Sequence, residues 1–245
     1  MLVAHLSDIH AEDDAESLIA LFRALDYLRP IRPDAVLVSG DIANKPWTRG
    51  YMLARQVLGS VDMPIYMLPG NVDGREAMRA AFSEHRYWPK FGPMHFSRAI
   101  EEMRLVALDV TVPGESYGQA GARDLKWLQE QVNTGSPLPV IVMTHQHLFA
   151  TGMERIDRNM CVNGDAVLDI LNQAADPVVA VVCGHGHRPT VTWLGKFFGI
   201  MAPSLTRANP VCYEGRGVPL VSDAPGMMLY ELVRGHLTAQ FVSFA

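Results

Sequence analysis

The chain has 245 residues, of which 49% are hydrophobic, and this is enough apolar material for one large domain or two small ones. We predict a single domain over residues 1–245. The formal net charge of -5 argues against a general attraction to nucleic acid or to an anionic membrane. Three cysteines, few and odd in number, argue against a disulfide framework and for a reducing compartment. We expect no signal peptide and no membrane span, so a cytoplasmic protein is predicted.

Short apolar runs alternate with amphipathic segments, and this alternation predicts an α/β fold. In chain order, strands are predicted at 2–6, 35–39, 65–68, 104–108, 140–143 and 178–183, and helices at 15–28, 48–58, 75–83, 124–132 and 165–173. After Gly186, strand-like runs at 190–193, 196–200, 227–231 and 237–242 predict antiparallel hairpins. Residues 203–225 are rich in Pro and Gly and are predicted to form a surface loop.

Polar residues with metal-binding side chains follow the predicted strands. They are Asp8 and His10, Gly40-Asp41, Gly70-Asn71-Val72-Asp73, His145, and Gly184-His185-Gly186-His187. The carboxyl ends of parallel strands meet at one edge of a sheet, where loops direct functional groups into one crevice. Each piece alone is typical of a turn or of a structural histidine. The five pieces together, each after a strand, predict one shared metal site.

This series of motifs resembles the calcineurin-like metallophosphoesterase superfamily. It is most similar to the bacterial branch of class III cyclic-nucleotide phosphodiesterases and glycerophosphodiesterases. Further similarity to that branch is found in Leu108-Asp109, Pro113-Gly114, Leu125-x-Trp127-Leu128 and Thr151-Gly152-Met153. The resemblance covers about residues 1 to 205. It implies a four-layer sandwich, in which two mixed β-sheets lie face to face with helices outside, and it implies a homodimer.

The resemblance also implies how the ligands are divided between two divalent ions. Asp8, His10 and His187 would hold one ion, Asn71, His145 and His185 the other, and Asp41 would bridge both. Imidazole, carboxylate and amide ligands without thiolate suit Mn, Fe, Co or Zn. Two such ions about 3.5–4 Å apart share a water molecule and lower its pKa, so that the bridging hydroxide attacks phosphorus. We assign catalysis to Asp41 and Asn71 and predict a hydrolase of small phosphodiesters, either a cyclic nucleotide or a glycerophosphodiester.

The chain departs from the family pattern at Val72, where many relatives have a histidine that contacts the phosphate or protonates the leaving group. Valine can do neither. Either His147, His95 or Arg75 substitutes for that histidine, or the enzyme acts best on esters with good leaving groups, and we expect the second. Asp73, without its usual partner, is expected only to cap the following helix.

The remaining histidines are assigned from their positions. Gln146 stands where relatives often have a second histidine, and His147 is expected either behind the ligands or at the surface. We expect His5 to be structural and both His85 and His236 to face solvent. The segment 151–164 is expected to form part of the rim of the cleft.

Three other functions are open to such a chain. A phosphomonoesterase or nucleotide hydrolase would use the same site. An interaction module would keep the fold while its metal site decays, although such proteins lose ligands and this chain retains all seven. A DNA-processing nuclease is disfavoured by the acidic balance of the chain.

Overall fold

The computed structural model describes residues 1–44, 49–213, 216–217 and 223–244. The strands are β1 (Leu2–Leu6), β2 (Ala35–Val38), β3 (Ile65–Met67), β4 (Phe96–Ile100), β5 (Met103–Ala107), β6 (Val140–Met143), β7 (Val178–Cys183), β8 (Thr190–Trp193), β9 (Phe198–Met201), β10 (Cys212–Tyr213), β11 (Arg216–Gly217), β12 (Gly226–Val233) and β13 (His236–Ser243). The helices are α1 (Ile19–Ile31), α2 (Arg49–Leu58), α3 (Arg75–Ala81), α4 (Ala122–Gln131), α5 (Glu154–Asp157) and α6 (Gly164–Asn172). A short 3-10 helix, Glu16–Leu18, precedes α1.

Two mixed sheets form the centre of the fold. The first has the strand order β13-β12-β1-β2-β3, with β1, β2 and β3 parallel and β12 antiparallel to β1. The second has the order β4-β5-β6-β7-β9-β8, with β5, β6, β7 and β9 parallel. This confirms the predicted α/β sandwich of two mixed sheets flanked by helices. The predicted hairpins are β8 with β9 and β12 with β13.

The alternation of side chains along β6 and its neighbours explains the layering. Ile141 of β6 packs in the core cluster that includes the first sheet, whereas Val140 and Val142 pack with Leu128 of α4 and Val167 of α6. Successive residues of a strand point to opposite faces, so one face of the second sheet meets the first sheet and the other face is covered by helices.

Helix α1 shows why the amphipathic segments were recognisable in the sequence. Its buried residues are Leu21, Ala24, Leu25 and Leu28, at the three- and four-residue spacing of one helix face. The helix ends at Arg32, which adopts a left-handed conformation with φ 51°. Pro30 lies in its last turn. Within the described ranges, no helix combines the length and the apolar character needed to cross a bilayer.

The structure adds elements that the sequence did not reveal. Strand β4 was missed because its middle residues are polar or exposed and only Phe96 and Ile100 are buried. The short helix α5 was also missed. In the region 203–225, Ser204 and Leu205 are buried, and β10 and β11 pair as a small hairpin. Thr48, the first residue of the predicted second helix, lies outside the described residues.

Candidate metal centre

Each of the seven predicted ligands lies in a loop that directly follows a strand. Asp8 and His10 follow β1, Asp41 follows β2, Asn71 follows β3, His145 follows β6, and His185 and His187 follow β7. Backbone hydrogen bonds join neighbouring loops: the amide of His10 donates to the carbonyl of Asp41 at 2.8 Å, and that of Gly184 to His145 at 3.1 Å. The first sheet therefore supplies four of these side chains and the second sheet supplies three.

The side-chain atoms converge in two groups that share one carboxylate. Ligand atoms of Asp8, His10, Asp41 and His187 lie within 4.8 Å of one another, and so do those of Asp41, His145 and His185. The Asn71 Oδ1 atom joins the second group, 3.0 Å from Nε2 of His145. The structure thus brings together all seven residues that the sequence selected, with Asp41 common to both groups.

The backbone of the site is held in an unfavourable conformation. Asp8, His10, Asp41, His185 and His187 have φ between 49° and 66°, the left-handed region that non-glycine residues rarely adopt. Among the described residues, three other non-glycine positions share this property: Arg32, Glu101 and Arg234. Residues held in sparsely populated backbone conformations cluster at functional sites, because the surrounding structure compensates for a cost of about 1–3 kcal/mol each.

Two glycines of the motifs are required by close approaches. Gly40 has a φ of 109°, and a Cβ atom there would lie 2.8 Å from Nδ1 of His145. At Gly184, a Cβ atom would overlap Ser7 and come within 2.7 Å of Oδ2 of Asp8. The glycines beside the ligands therefore allow the loops of the two sheets to approach closely.

Hydrogen bonds on the outer side of three histidines determine which ring nitrogen faces the site. Nδ1 of His145 donates to the carbonyl of Ser39 at 2.7 Å, and Nδ1 of His187 donates to the carbonyl of Arg207 at 2.8 Å. In the neutral imidazole, Nε2 then carries a lone pair. His10 has the same arrangement, with Nδ1 2.6 Å from Oδ1 of Asn44.

The inward-facing Nε2 atoms of these histidines lie close to other hydrogen-bond acceptors. Nε2 of His187 lies 3.2 Å from Oδ1 of Asp8 and 3.1 Å from Nε2 of His10. Nε2 of His145 lies 3.4 Å from Oδ1 of Asp41. Acceptors that converge in this way repel one another unless a cation or protons lie between them, and a histidine held at its other nitrogen is typical of metal sites. The residues present therefore fit divalent metal ions.

Charges in the site favour a bound cation. Burial disfavours ionisation of Asp8, but His187 outweighs this and the pKa of Asp8 lies well below its ordinary value; His145 lowers the pKa of Asp41 in the same way. Burial also disfavours the charged form of His145, yet Asp41 raises its pKa to about 9. Burial, followed by the charge of His145, lowers the pKa of His185 to about 3. Both carboxylates are therefore ionised at neutral pH, and a metal ion would compete with the histidine protons.

Asp73 has a different role from the one expected. Its carboxylate accepts hydrogen bonds from the amides of Gly70 at 2.8 Å and Ile42 at 3.1 Å, and from the hydroxyl of Tyr51 at 2.7 Å. No side chain caps the N-terminus of α3. The expected helix cap is therefore wrong: Asp73 joins the loop of Asp41 to the loop of Asn71. Burial, followed by the charge of Asp41, raises the pKa of Asp73 to about 6.

The other histidines and Arg75 occupy distinct places. His147 is fully buried beside His185, with ring centroids 6.0 Å apart, and its Nε2 atom is 3.5 Å from Oδ1 of Asp157. His95 bonds Asp124 and stacks on Trp127. Neither of these two histidines lines the cavity at the ligands.

His5 is structural, as expected: it is buried, it bonds the hydroxyl of Tyr230 at 2.8 Å, and burial lowers its pKa to about 3. His236 is exposed, whereas His85 is half-buried against Tyr87 and Trp88, so the expectation of a solvent-facing ring was wrong for His85.

A cavity of about 270 Å³ opens over the ligands. Its walls include His10, Asp41, Asn71, Val72, His185 and His187, together with Ser116, Arg155, Ile156, Asn159 and Asn209. A second cavity of about 580 Å³ shares Asn71 and Val72 with it and includes Arg75. Reasoning from the sequence missed Ser116, Arg155, Asn159 and Asn209 as individual residues, because nothing in their local sequence marks a site.

The similarity to known proteins agrees with this geometry. The family model for the calcineurin-like phosphoesterase family matches residues 1–189. The chain is 30% identical to a glycerophosphodiester phosphodiesterase GpdQ from Enterobacter lignolyticus, over 87% of this chain and 81% of that protein. It is 26% identical to a cAMP/cGMP dual specificity phosphodiesterase from Mycobacterium tuberculosis, over 86% of this chain and 68% of that protein.

The fold is also similar to a solved structure. A dimetal phosphatase from Danio rerio superposes with a TM-score of 0.69 at 15% identity, over 100% of this chain and 99% of that one. The match of the family model over most of the chain, with the paired groups of possible metal ligands, leads to one conclusion. The chain belongs to the calcineurin-like phosphoesterase family and is a metal-dependent hydrolase of phosphate esters.

Proposed function

We propose that this chain hydrolyses small phosphodiesters at a centre of two divalent metal ions. The observation that carries the proposal is the shared carboxylate of Asp41, which belongs to both groups of converging ligand atoms. The cavity of about 270 Å³ above these groups has room for a phosphoryl group. The relatives named as phosphodiesterases support a diester rather than a monoester as the substrate.

We propose that the seven ligands divide between two ions in the same way as their side-chain atoms group in space. Asp8, His10 and His187 would hold one ion, Asn71, His145 and His185 would hold the other, and Asp41 would bridge them. Nitrogen and oxygen ligands without thiolate suit Mn, Fe, Zn or Co. Bound there, such ions would lower the pKa of water and offset negative charge on the phosphoryl oxygens.

Backbone carbonyl groups and side chains of the protein would hold the ligands in place for this chemistry. The carbonyl groups of Ser39 and Arg207 hold His145 and His187 with Nε2 directed inward, so these ligands need no reorientation. Asp73 holds the loops of Asp41 and Asn71 together. We propose Asp41 and Asn71 as the catalytic residues: Asp41 through its bridging carboxylate, and Asn71 because its amide can donate a hydrogen bond to a phosphoryl oxygen in the cavity it lines.

The similar proteins support two substrate classes equally. The similar proteins include glycerophosphodiester phosphodiesterases and cyclic nucleotide phosphodiesterases. We therefore propose a cyclic nucleotide or a glycerophosphodiester as the substrate.

We also propose a cytoplasmic location, because the chain has few cysteines, and a homodimer. Light scattering of the purified protein would measure the oligomeric state.

The proposal is tested with bis(4-nitrophenyl) phosphate and 4-nitrophenyl phosphate in added Mn²⁺. We expect the diester to be hydrolysed faster, the rate to vanish with a chelator, and Asp41→Asn to lose at least about 100-fold in kcat, since one carboxylate serves both ions. Tyr27→Phe is the control, because Tyr27 is exposed on α1 and does not line the cavity at the ligands. A preference for the monoester would favour a phosphomonoesterase, and purified protein with little bound metal and no rate would favour an interaction module.

A further inference from the structure

Part of the cavity wall comes from the segment after β6. Helix α5 contributes Arg155 and Ile156 to this wall, and Asn159 follows one turn later. Among the described residues that line the cavity, Arg155 is the one Lys or Arg side chain. A permanently charged donor therefore stands at the opening of the proposed metal site.

Arg155 differs from the second arginine of this segment. Arg158 bonds Glu154 one turn earlier, at 2.5 Å, and both side chains are largely exposed. In the part of the chain that the structure describes, Arg155 is exposed and no hydrogen bond or ion pair engages its guanidinium group. Its five N–H donors are thus available to a ligand in the cavity.

The backbone that carries Arg155 is firmly held against the metal-site loops. Ile156 is buried, and its Cγ2 atom lies so close to Gly186 that a Cβ atom added there would be 3.2 Å away. The carboxylate of Asp157 accepts hydrogen bonds from the amide of Thr151 at 2.8 Å and from that of Gly152 at 2.9 Å. The base of the Arg155 side chain is therefore positioned beside the loop that carries His185 and His187.

We propose that Arg155, which lines the same cavity as the metal-binding side chains, binds a non-bridging oxygen of the phosphoryl group. This inference deepens the proposed function and rests on it. Val72 lines the same cavity, and its side chain offers the phosphoryl group neither charge nor a donor, so Arg155 would supply the contact that the Val72 side chain cannot make. A guanidinium group suits this role because its planar N–H donors match the oxygens of a phosphate.

The chemistry of arginine limits what Arg155 contributes. Its guanidinium group stays charged at any working pH and therefore stabilises negative charge without donating a proton. The leaving alkoxide receives no proton from Arg155 or from Val72. Arg155 would thus act on the phosphoryl charge, and the expected preference for good leaving groups would depend on position 72 separately.

The test compares Arg155→Gln with Arg158→Gln, a matched change on the same short helix. Isothermal titration of the Mn²⁺-loaded protein with inorganic phosphate measures binding without turnover, and kcat/KM is measured on bis(4-nitrophenyl) phosphate. We expect Arg155→Gln to weaken phosphate binding and to lower kcat/KM, each by about 10- to 100-fold, as loss of a charged hydrogen bond predicts. Arg158→Gln should match the wild type, and Arg155→Lys should recover part of the loss.

Each outcome decides the matter. Equal phosphate affinity in the wild type and in Arg155→Gln would overturn the inference, as would a wild type that binds no phosphate. If the wild type hydrolyses the diester and Arg155→Gln does so equally well, the inference fails while the proposed function stands. If phosphate binding depends on Arg155 but no ester is cleaved, the proposed function fails and the binding role of Arg155 stands.

Discussion

At position 72, where the family resemblance leads us to expect a histidine, this chain has Val72. Val72 lines both the cavity at the ligands and the larger cavity beside it, and its backbone amide donates to Oδ1 of Asp41 at 3.0 Å. The amide contact is independent of the side chain. A substitution at this position therefore changes the group that faces the substrate and preserves the hydrogen bond that holds Asp41.

We predict that Val72→His raises the rate on an alkyl phosphodiester by about 10-fold or more, because an imidazole there can protonate the leaving alkoxide. The gain on bis(4-nitrophenyl) phosphate should be small, since 4-nitrophenolate needs little protonation. Val72→Leu, which changes the shape of the wall without adding a titratable group, is the control. An unchanged rate on the alkyl diester, at unchanged metal content, would contradict the explanation.

Between elements, the ion pair of Arg75 and Asp109 connects α3 to the end of β5. Nε of Arg75 lies 2.6 Å from Oδ2 of Asp109, and Nη2 also donates to the carbonyl of Thr111 at 2.8 Å. The amide of Met94 donates to the same carboxylate at 2.8 Å. Asp109 is 2% exposed, so removing its charge would leave a largely buried guanidinium without its partner.

We predict that Asp109→Asn lowers the free energy of unfolding by about 3 kcal/mol at pH 7, as breaking a buried ion pair usually does. Asp26→Asn, which removes the exposed partner of Arg29, should change it little. Urea denaturation of the two variants measures the difference. Equal midpoints for both variants would show that the connection between α3 and β5 does not stabilise the fold.

The same pair predicts a dependence of stability on pH. Burial disfavours ionisation of Asp109, but the hydrogen bond and charge of Arg75 outweigh it, and its pKa is lowered. A lowered pKa in the folded state stabilises the protein above the unfolded pKa, which is about 3.9, and this contribution is lost as the pH falls through the folded value. The difference in stability between wild type and Asp109→Asn should therefore shrink below about pH 4. If the difference in the free energy of unfolding between wild type and Asp109→Asn is the same at pH 3 and at pH 7, this prediction is wrong.

For the whole molecule, the proposed metal centre connects the two sheets. The group around Asp8 combines three side chains of the first sheet with His187 of the second, and the other group combines Asp41 and Asn71 with His145 and His185. A bound ion would therefore link loops of both sheets, and unfolding the chain would separate its ligands. Metal binding and folding are coupled in such a case.

We predict that added Mn²⁺ raises the melting temperature of the chelator-treated protein, with a stabilisation of about 2.7 kcal/mol at a free concentration of 100 times the Kd. Asp41→Asn should reduce the shift because Asp41 is shared by both groups. Differential scanning calorimetry over a range of Mn²⁺ concentrations measures it, and Mg²⁺ tests whether nitrogen ligands give selectivity. A melting temperature independent of Mn²⁺ would contradict the metal centre.

The strand and helix pattern could be predicted to a large extent because it depends on local periodicity. The predicted strands at 2–6, 140–143 and 178–183 have the same bounds as β1, β6 and β7. Strand β4 and helix α5 were missed, since an edge strand with polar middle residues and a single helical turn show no clear period. The ligand motifs were recognisable because they lie directly after strands, next to glycines that a close approach requires.

The sequence by itself determined most of the element types, the family resemblance and the seven candidate ligands, because these depend on neighbours in the chain. Only the tertiary structure decided that Asp73 joins two loops, that His147 is buried beside His185 and that Arg155 lines the same cavity as the ligands. These contacts join residues of separate elements, and their geometry arises from the packing of two sheets, which no local pattern encodes.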